Sequence, residues 1–457
     1  MSLDYAQLAE WDKEYVWHPF TQMQMWNAAD PLIIERGEGS YLIDVQGNRY
    51  LDGISSLWVT VHGHTHPILT QAIKEQVDKI AHTTLLGLAN VPSIQLAKKL
   101  VEITPPGLTK VFYSDAGATA VEIALKIAYQ CWQQHPDPQK RQKKKFISLE
   151  EAYHGDTVGT ISVGGKGSAY ATYRDLLFEG YRVPAPYCYR CPLGREREQC
   201  NLACLQVVED IMAKHHQEIA GLIIEPLVQG AAGMITAPDG YLGKIRGLCT
   251  KYNILMIADE VAVGFGRTGT LFACEQEGVS PDIMCVAKGL TGGYLPLAAT
   301  LTTEAIFNAF LGELREGKTF FHGHTFTGNP VGCAVALANI EVIEQTRLIR
   351  HIQASARLLS SELKRFKALR HVGDIRQRGL MVGLELVRVK QTKEPYTLEE
   401  NIGHQVILAA RRQGLIIRPL GNVLVLMPIL AMSGEQLQQV LAITYQAIKN
   451  VTEKESL

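Results

Sequence analysis

Two short apolar runs, ILMIA ending at Ala258 and DIMCVA ending at Ala287, each stop abruptly at ionisable side chains. The first stops at Asp259 and Glu260, the second at Lys288 and a glycine-rich tail. Runs this short read as strands buried on both faces of a parallel sheet, which needs helical crossovers and so an α/β fold. In open α/β sheets, functional groups gather outside the carboxyl ends of the strands. One acid of the Asp259–Glu260 pair and Lys288 are therefore expected to face one crevice. A carboxylate for a pyridinium nitrogen and a primary amine for an aldehyde are what pyridoxal phosphate asks of its protein.

Other strand ends add to this crevice. VFYS at 111–114 leads through the small-residue turn Asp115–Thr119 into a helix with apolar side chains at i, i+3 and i+4. A helix start after such a turn presents free N–H groups and a positive dipole end, a ready phosphate site, and Gly117 and Ala118 lack the bulk to keep a phosphate away. An ordinary βα turn is the competing reading. FISLEEAYHGDT places Tyr153 and His154 after another strand, where an aromatic ring could stack on a cofactor. LII ends in Glu225, and the polar loop Gly323–Gly328 offers the Thr325 hydroxyl to a phosphate. Trp58, among small residues and glycines, is a plausible pocket wall. Phe20, in WHPFTQMQMW, lines a substrate pocket or packs on a core. Arg418 sits among apolar residues and needs an anion, supplied by a substrate carboxylate or by an internal acid.

Composition narrows the classes. A chain of 457 residues exceeds one ordinary core, so a large domain with a smaller lobe is expected. A formal net charge of −1 gives no electrostatic reason to bind nucleic acid or an anionic membrane. No apolar run approaches the roughly 18 residues of a membrane span, and the acid-rich start argues against a signal peptide. Nine cysteines are poor material for a disulfide framework, and a reduced, cytoplasmic setting fits best. Cys188, Cys191, Cys200 and Cys204 have zinc-like spacing, with reduced thiols in a surface excursion as the default. His62, His64 and His66 lack metal-ligand spacing. GFGRTG matches a dinucleotide motif in the wrong context, since no long helix follows it. The basic run 135–145 reads as a solvated loop.

Taken together, SDAGATAVEIALK, YHGDT, IIEP, ADEVAVGFGRTG, AKGLTGGYLP and HGHTFTGNP resemble the class III (ω-amino) aminotransferases of PLP fold type I, in order and over nearly the whole chain. WHPFTQM, SSLWVTVHGH and IIRPLGNVLVLMP resemble more narrowly the branch that converts 8-amino-7-oxononanoate to 7,8-diaminononanoate in biotin biosynthesis. Another ω-aminotransferase, acting on a diamine or 4-aminobutyrate, is the alternative. The resemblance implies that Lys288 bonds the cofactor aldehyde and moves the proton, while Asp259 pairs with the ring nitrogen. It further implies that Tyr153 and Val261 cover the two ring faces, and that Gly117, Ala118 and Thr325 of a second subunit hold the phosphate. His154 and His324 join that cofactor set. Phe20, Trp58, Tyr153, Gly323 and Arg418 would meet substrate, in a homodimer with shared sites and no metal. Ala116 and Ala118 stand where the family usually has serines. Phe20 leaves the amino donor open between S-adenosylmethionine and lysine. The implied organisation is a large cofactor domain over 66–334, with a smaller α+β domain made from 1–65 and 335–457.

Overall fold

The computed structural model describes residues 4–165 and 168–453. Among these, seven strands form the central sheet: β1 (Leu108–Ser114), β2 (Lys145–Leu149), β3 (Tyr181–Val183), β4 (Ile219–Ile224), β5 (Leu255–Asp259), β6 (Ile283–Val286) and β7 (Ala298–Thr303). Their spatial order is β1-β7-β6-β5-β4-β2-β3. β6, β5, β4, β2 and β3 run parallel, and β7 is antiparallel to both neighbours. The chain passes from β6 to β7 without a covering helix, which permits only that antiparallel return. β4 and β6 are buried at every position, as strands covered on both faces must be.

The helix Gly117–Gln133 lies on one face of this sheet. It buries Ala120, Val121, Ile123, Ala124 and Ile127 against Ile223, Ile257 and Ile283. An Ile123→Ala change there would cost about 2–5 kcal/mol in lost burial and cavity formation.

The two chain ends meet. The meander Ile34–Glu38, Tyr41–Asp44, Arg49–Asp52 takes Leu415–Ile416 as a fourth strand, parallel to the third, with Leu415 opposite Leu51. A second antiparallel sheet orders Val372–Arg378, Met381–Leu386, Val423–Leu426 and Arg418–Leu420. The closing helix Gly434–Thr452 starts at a reciprocal cap between Ser433 and Gln436.

The basic run departs from the solvated loop read in the sequence. Lys143 is 4% exposed, its ammonium donating to the carbonyls of His216 and Ile219 and lying 5.0 Å from the Trp132 ring centroid. A long apolar stem with three donors at its tip can satisfy two inward-facing carbonyls, and composition alone does not reveal that. Among the described residues, no helix is long and apolar enough to cross a membrane.

Candidate active site

A cavity of about 930 Å³ opens at the carboxyl ends of β2, β4, β5 and β6. Asp259, Lys288, Glu225, Tyr153 and His154 all line it. Strand alternation separates the two adjacent acids. Asp259 Oδ2 lies 2.7 Å from His154 Nδ1, and Oδ1 accepts the Val261 N–H at 3.0 Å. Glu260 turns away and accepts the N–H groups of Ala273 (3.0 Å) and Cys274 (2.8 Å). Burial pushes the Glu260 carboxyl up to about 7, and those two amides only partly oppose it. Glu225 is also pushed up to about 7, by burial first, with Asp259 adding to the rise and His154 opposing it.

Lys288 sits just beyond β6 with φ of +43°, a left-handed conformation that costs a non-glycine residue about 1 kcal/mol or more. Burial pulls its amine below the ordinary lysine range, while Asp259 and Glu225 pull it back up. Its Nζ lies 4.8 Å from the Trp58 ring centroid. The Trp58 loop is itself strained, with Ser55, Ser56 and Trp58 at φ of 52°, 59° and 67°. Three buried groups hold it. Asp52 accepts the N–H groups of Ile54 and Ser56, and the Ser55 hydroxyl donates to Met427 O at 2.7 Å. Arg267 donates to the carbonyls of Thr60 (2.8 Å) and Pro428 (2.6 Å). The GFGRTG run is thus a locking turn between the Trp58 loop and the C-terminal lobe.

At the phosphate turn, Ala116 occupies the cap position of the helix Gly117–Gln133 and offers no side-chain acceptor. Ala116, Gly117 and Ala118 line the cavity, so the first-turn N–H groups are available to an anion. Gly117 has no room for a side chain, since a Cβ there would stand 2.5 Å from Val261 Cγ1. Tyr153 is half-buried, its hydroxyl donating to Asp156 at 2.6 Å. An uncapped helix start, an apolar face at Val261, an aromatic ring, a buried carboxylate and an amine with lowered proton affinity together fit pyridoxal phosphate.

Phe20 and Arg418 meet at the mouth of the cavity, with the guanidinium 5.9 Å from the Phe20 ring centroid. Phe20 is 67% exposed, so it does not pack on a core. Arg418 has no carboxylate partner among the described residues, and the internal acid weighed from the sequence is not what the fold supplies. Gly323, His324 and Thr325 do not line this chain's own cavity, although His324 bonds Asp115, which does. Gly323 and Thr325 are exposed, and His324 Nδ1 is 2.7 Å from Asp115 Oδ2. Cys188, Cys191, Cys200 and Cys204 are free, half-buried thiols. Among the described residues, no group of three or more His, Cys, Asp or Glu side chains could hold a metal ion. His64 pairs with Asp52 at 3.1 Å, and His62 bonds the Asn339 carbonyl at 3.3 Å. Sequence reasoning missed Asp52 and Arg267. The one signal available was a charged residue set among apolar and small neighbours.

Comparison with known proteins agrees with this geometry. The family model for aminotransferase class-III matches residues 23–448. The adenosylmethionine-8-amino-7-oxononanoate aminotransferase of Geobacter sulfurreducens is 52% identical over 450 residues, 98% of this chain and 99% of that protein. The crystal structure of the Methanocaldococcus jannaschii protein of the same name superposes with a TM-score of 0.93 at 48% identity, covering 98% of this chain and all of the other. An omega transaminase from Pseudomonas jessenii, solved in complex with PMP, gives a TM-score of 0.92 at 34% identity, covering 98% of both chains. The protein is an enzyme of PLP fold type I that works with pyridoxal phosphate, and it belongs to the class III aminotransferase family.

Proposed function

We propose that this aminotransferase converts 8-amino-7-oxononanoate to 7,8-diaminononanoate in biotin biosynthesis, with S-adenosylmethionine or lysine giving the amino group. The observation that carries the reading is Arg418, a guanidinium without a carboxylate partner at the mouth of a largely apolar cavity. A fatty acid with a reacting ketone at its far end needs that pairing of a charged mouth and an apolar passage. Six relatives at 49–53% identity carry the name of that activity, which makes another ω-amino acid the weaker alternative.

In this reading Lys288 would hold the cofactor aldehyde and carry the proton, Asp259 would keep the ring nitrogen protonated, and Tyr153 and Val261 would pack against the ring. His154 orients Asp259. Gly117 and Ala118 hold the phosphate through backbone N–H groups. Phe20, Trp58, Tyr153 and Arg418 contact substrate. The enzyme is a cytoplasmic homodimer, in which Gly323, His324 and Thr325 of each chain complete the other chain's site. Supporting that, Leu86, Val91, Ile94, Phe321 and Phe326 are exposed, and their segments touch where Phe326 packs on His82 and Leu85 meets Gly328. Exposed apolar side chains on adjoining segments favour an interface there. The smaller lobe comprises 1–65 and 335–457, around a cofactor domain of 66–334.

Steady-state assays with 8-amino-7-oxononanoate test the substrate. Arg418→Met should raise its KM roughly 30-fold to 1,000-fold, the cost of about 2–4 kcal/mol for a lost buried charge pair. An unchanged KM, or a wild-type enzyme that ignores this ketone, overturns the assignment. Adding S-adenosylmethionine and lysine separately, and following the cofactor absorbance, identifies the donor.

A further inference from the structure

Glu225 ends β4 inside the crevice and is 6% exposed. Its two carboxylate oxygens serve two different loops. Oε1 accepts the N–H of Tyr153 (3.1 Å) in the loop after β2, and Oε2 accepts the N–H of Gly230 (2.9 Å) in the loop after β4. Tyr153 is one aromatic wall of the cavity. Gly230 backs the other, for a Cβ added there would stand 3.2 Å from Trp58 Cζ3. The second loop is tightly wound, with Leu227 and Met234 at φ of 65° and 59°, and the Gly230 carbonyl accepts from Gly233 and Met234. Gln229 ties the same two loops again, its amide donating to Glu150 O at 2.9 Å. In the sequence Glu225 is only a strand-end acid after LII.

We propose that Glu225 is a positioning residue: by holding the Tyr153 and Gly230 amides on one carboxylate, it sets the gap between the Tyr153 and Trp58 walls and so the breadth of amine that can reach Lys288. Only an ionised or neutral carboxyl offers oxygens on both arms. Glutamine has one acceptor oxygen and an NH2 that cannot take an N–H, so Glu225→Gln must release one amide while keeping the same volume. The inference rests on membership of the aminotransferase family and not on the particular ketone proposed above.

Single-turnover half-reactions of the holoenzyme with isopropylamine and with 1-phenylethylamine, read by cofactor absorbance, test it. No acceptor ketone is involved, so failure of the proposed substrate leaves this test intact. Glu225→Gln should loosen the walls and raise the ratio of 1-phenylethylamine to isopropylamine rate constants about tenfold, whatever its effect on the two rates taken singly. Gly230→Ala presses on Trp58 from behind and should lower the same ratio. Near-UV circular dichroism should change in both variants, with cofactor still bound one per chain. The proposal is overturned if the ratio is unmoved in both, if both amines slow equally, or if Glu225→Gln loses cofactor while Gly230→Ala leaves the ratio at its wild-type value.

Discussion

Glu260→Gln separates the two adjacent acids by experiment. The Glu260 carboxyl is pushed from an ordinary 4.5 up to about 7 by burial. Each unit corresponds to about 1.36 kcal/mol, so ionising this group in the folded protein costs roughly 3 kcal/mol. The sign follows from the raised value: the stabilising contribution is full below pH 4.5 and is lost as pH rises through 7. Glutamine never ionises, so the stability of Glu260→Gln relative to wild type should climb by roughly 3 kcal/mol between pH 5 and pH 9. Glutamine also loses one of the two bonds from Ala273 and Cys274, at a cost of about 1 kcal/mol. That offset shifts the whole curve and leaves its slope alone. At about 2.1 cal/mol/K per residue over 457 residues, the climb appears as roughly 3 °C in the difference of melting temperatures. Glu225 titrates in the same range but is common to both proteins and cancels in the difference. Activity at pH 7 should be retained, because Glu260 does not line the cavity. A melting difference that stays flat across this range would show that the two amides already hold Glu260 as a stable anion, and the burial argument would fail.

Three further outcomes are expected. Lys288→Ala should abolish steady-state turnover, and mass spectrometry after borohydride treatment should find no cofactor bonded to the chain; retained wild-type turnover refutes its role. Asp259→Asn keeps the shape but removes a buried charge, a loss of about 3–5 kcal/mol that should slow kcat by roughly 10² to 10⁴ while His154 stays in place; circular dichroism checks that the fold survives. Gly117→Ala should cost about 1–3 kcal/mol of stability and weaken cofactor retention, since its new methyl group meets Val261, and Val261→Ala in the same chain should restore both in a cofactor titration.

Much of this was legible in the sequence because two physical signals are local. An unbroken apolar run marks a strand covered on both faces, and the residue that interrupts it must stand at the strand end. The Asp259–Glu260 pair, Lys288, Tyr153 and the Gly117 turn follow from these signals without coordinates, and the family resemblance singles out Asp259. That reasoning from strand ends could not itself tell whether Asp259 or Glu260 faces the crevice, since that depends on strand phase. It missed Lys143, Asp52 and Arg267, whose partners are backbone carbonyls and amides supplied by distant segments. Arg418 was recognised as needing an anion, but only the fold shows that no acid among the described residues pairs with it and sets the guanidinium beside Phe20. A surface loop such as Gly323–Thr325 carries no burial signal in either description, and its role waits on a second chain.

Pairing of Leu51 with Leu415 has a consequence for the order of events during synthesis. The amino-terminal meander leaves the ribosome about 360 residues before its fourth strand exists, a delay of roughly 20–70 s at 5–20 residues per second. Throughout that interval the edge at Arg49–Asp52 stands open to any passing strand, including one from a neighbouring nascent chain. A stop codon anywhere before position 415 would therefore leave the meander, made first, without its last strand.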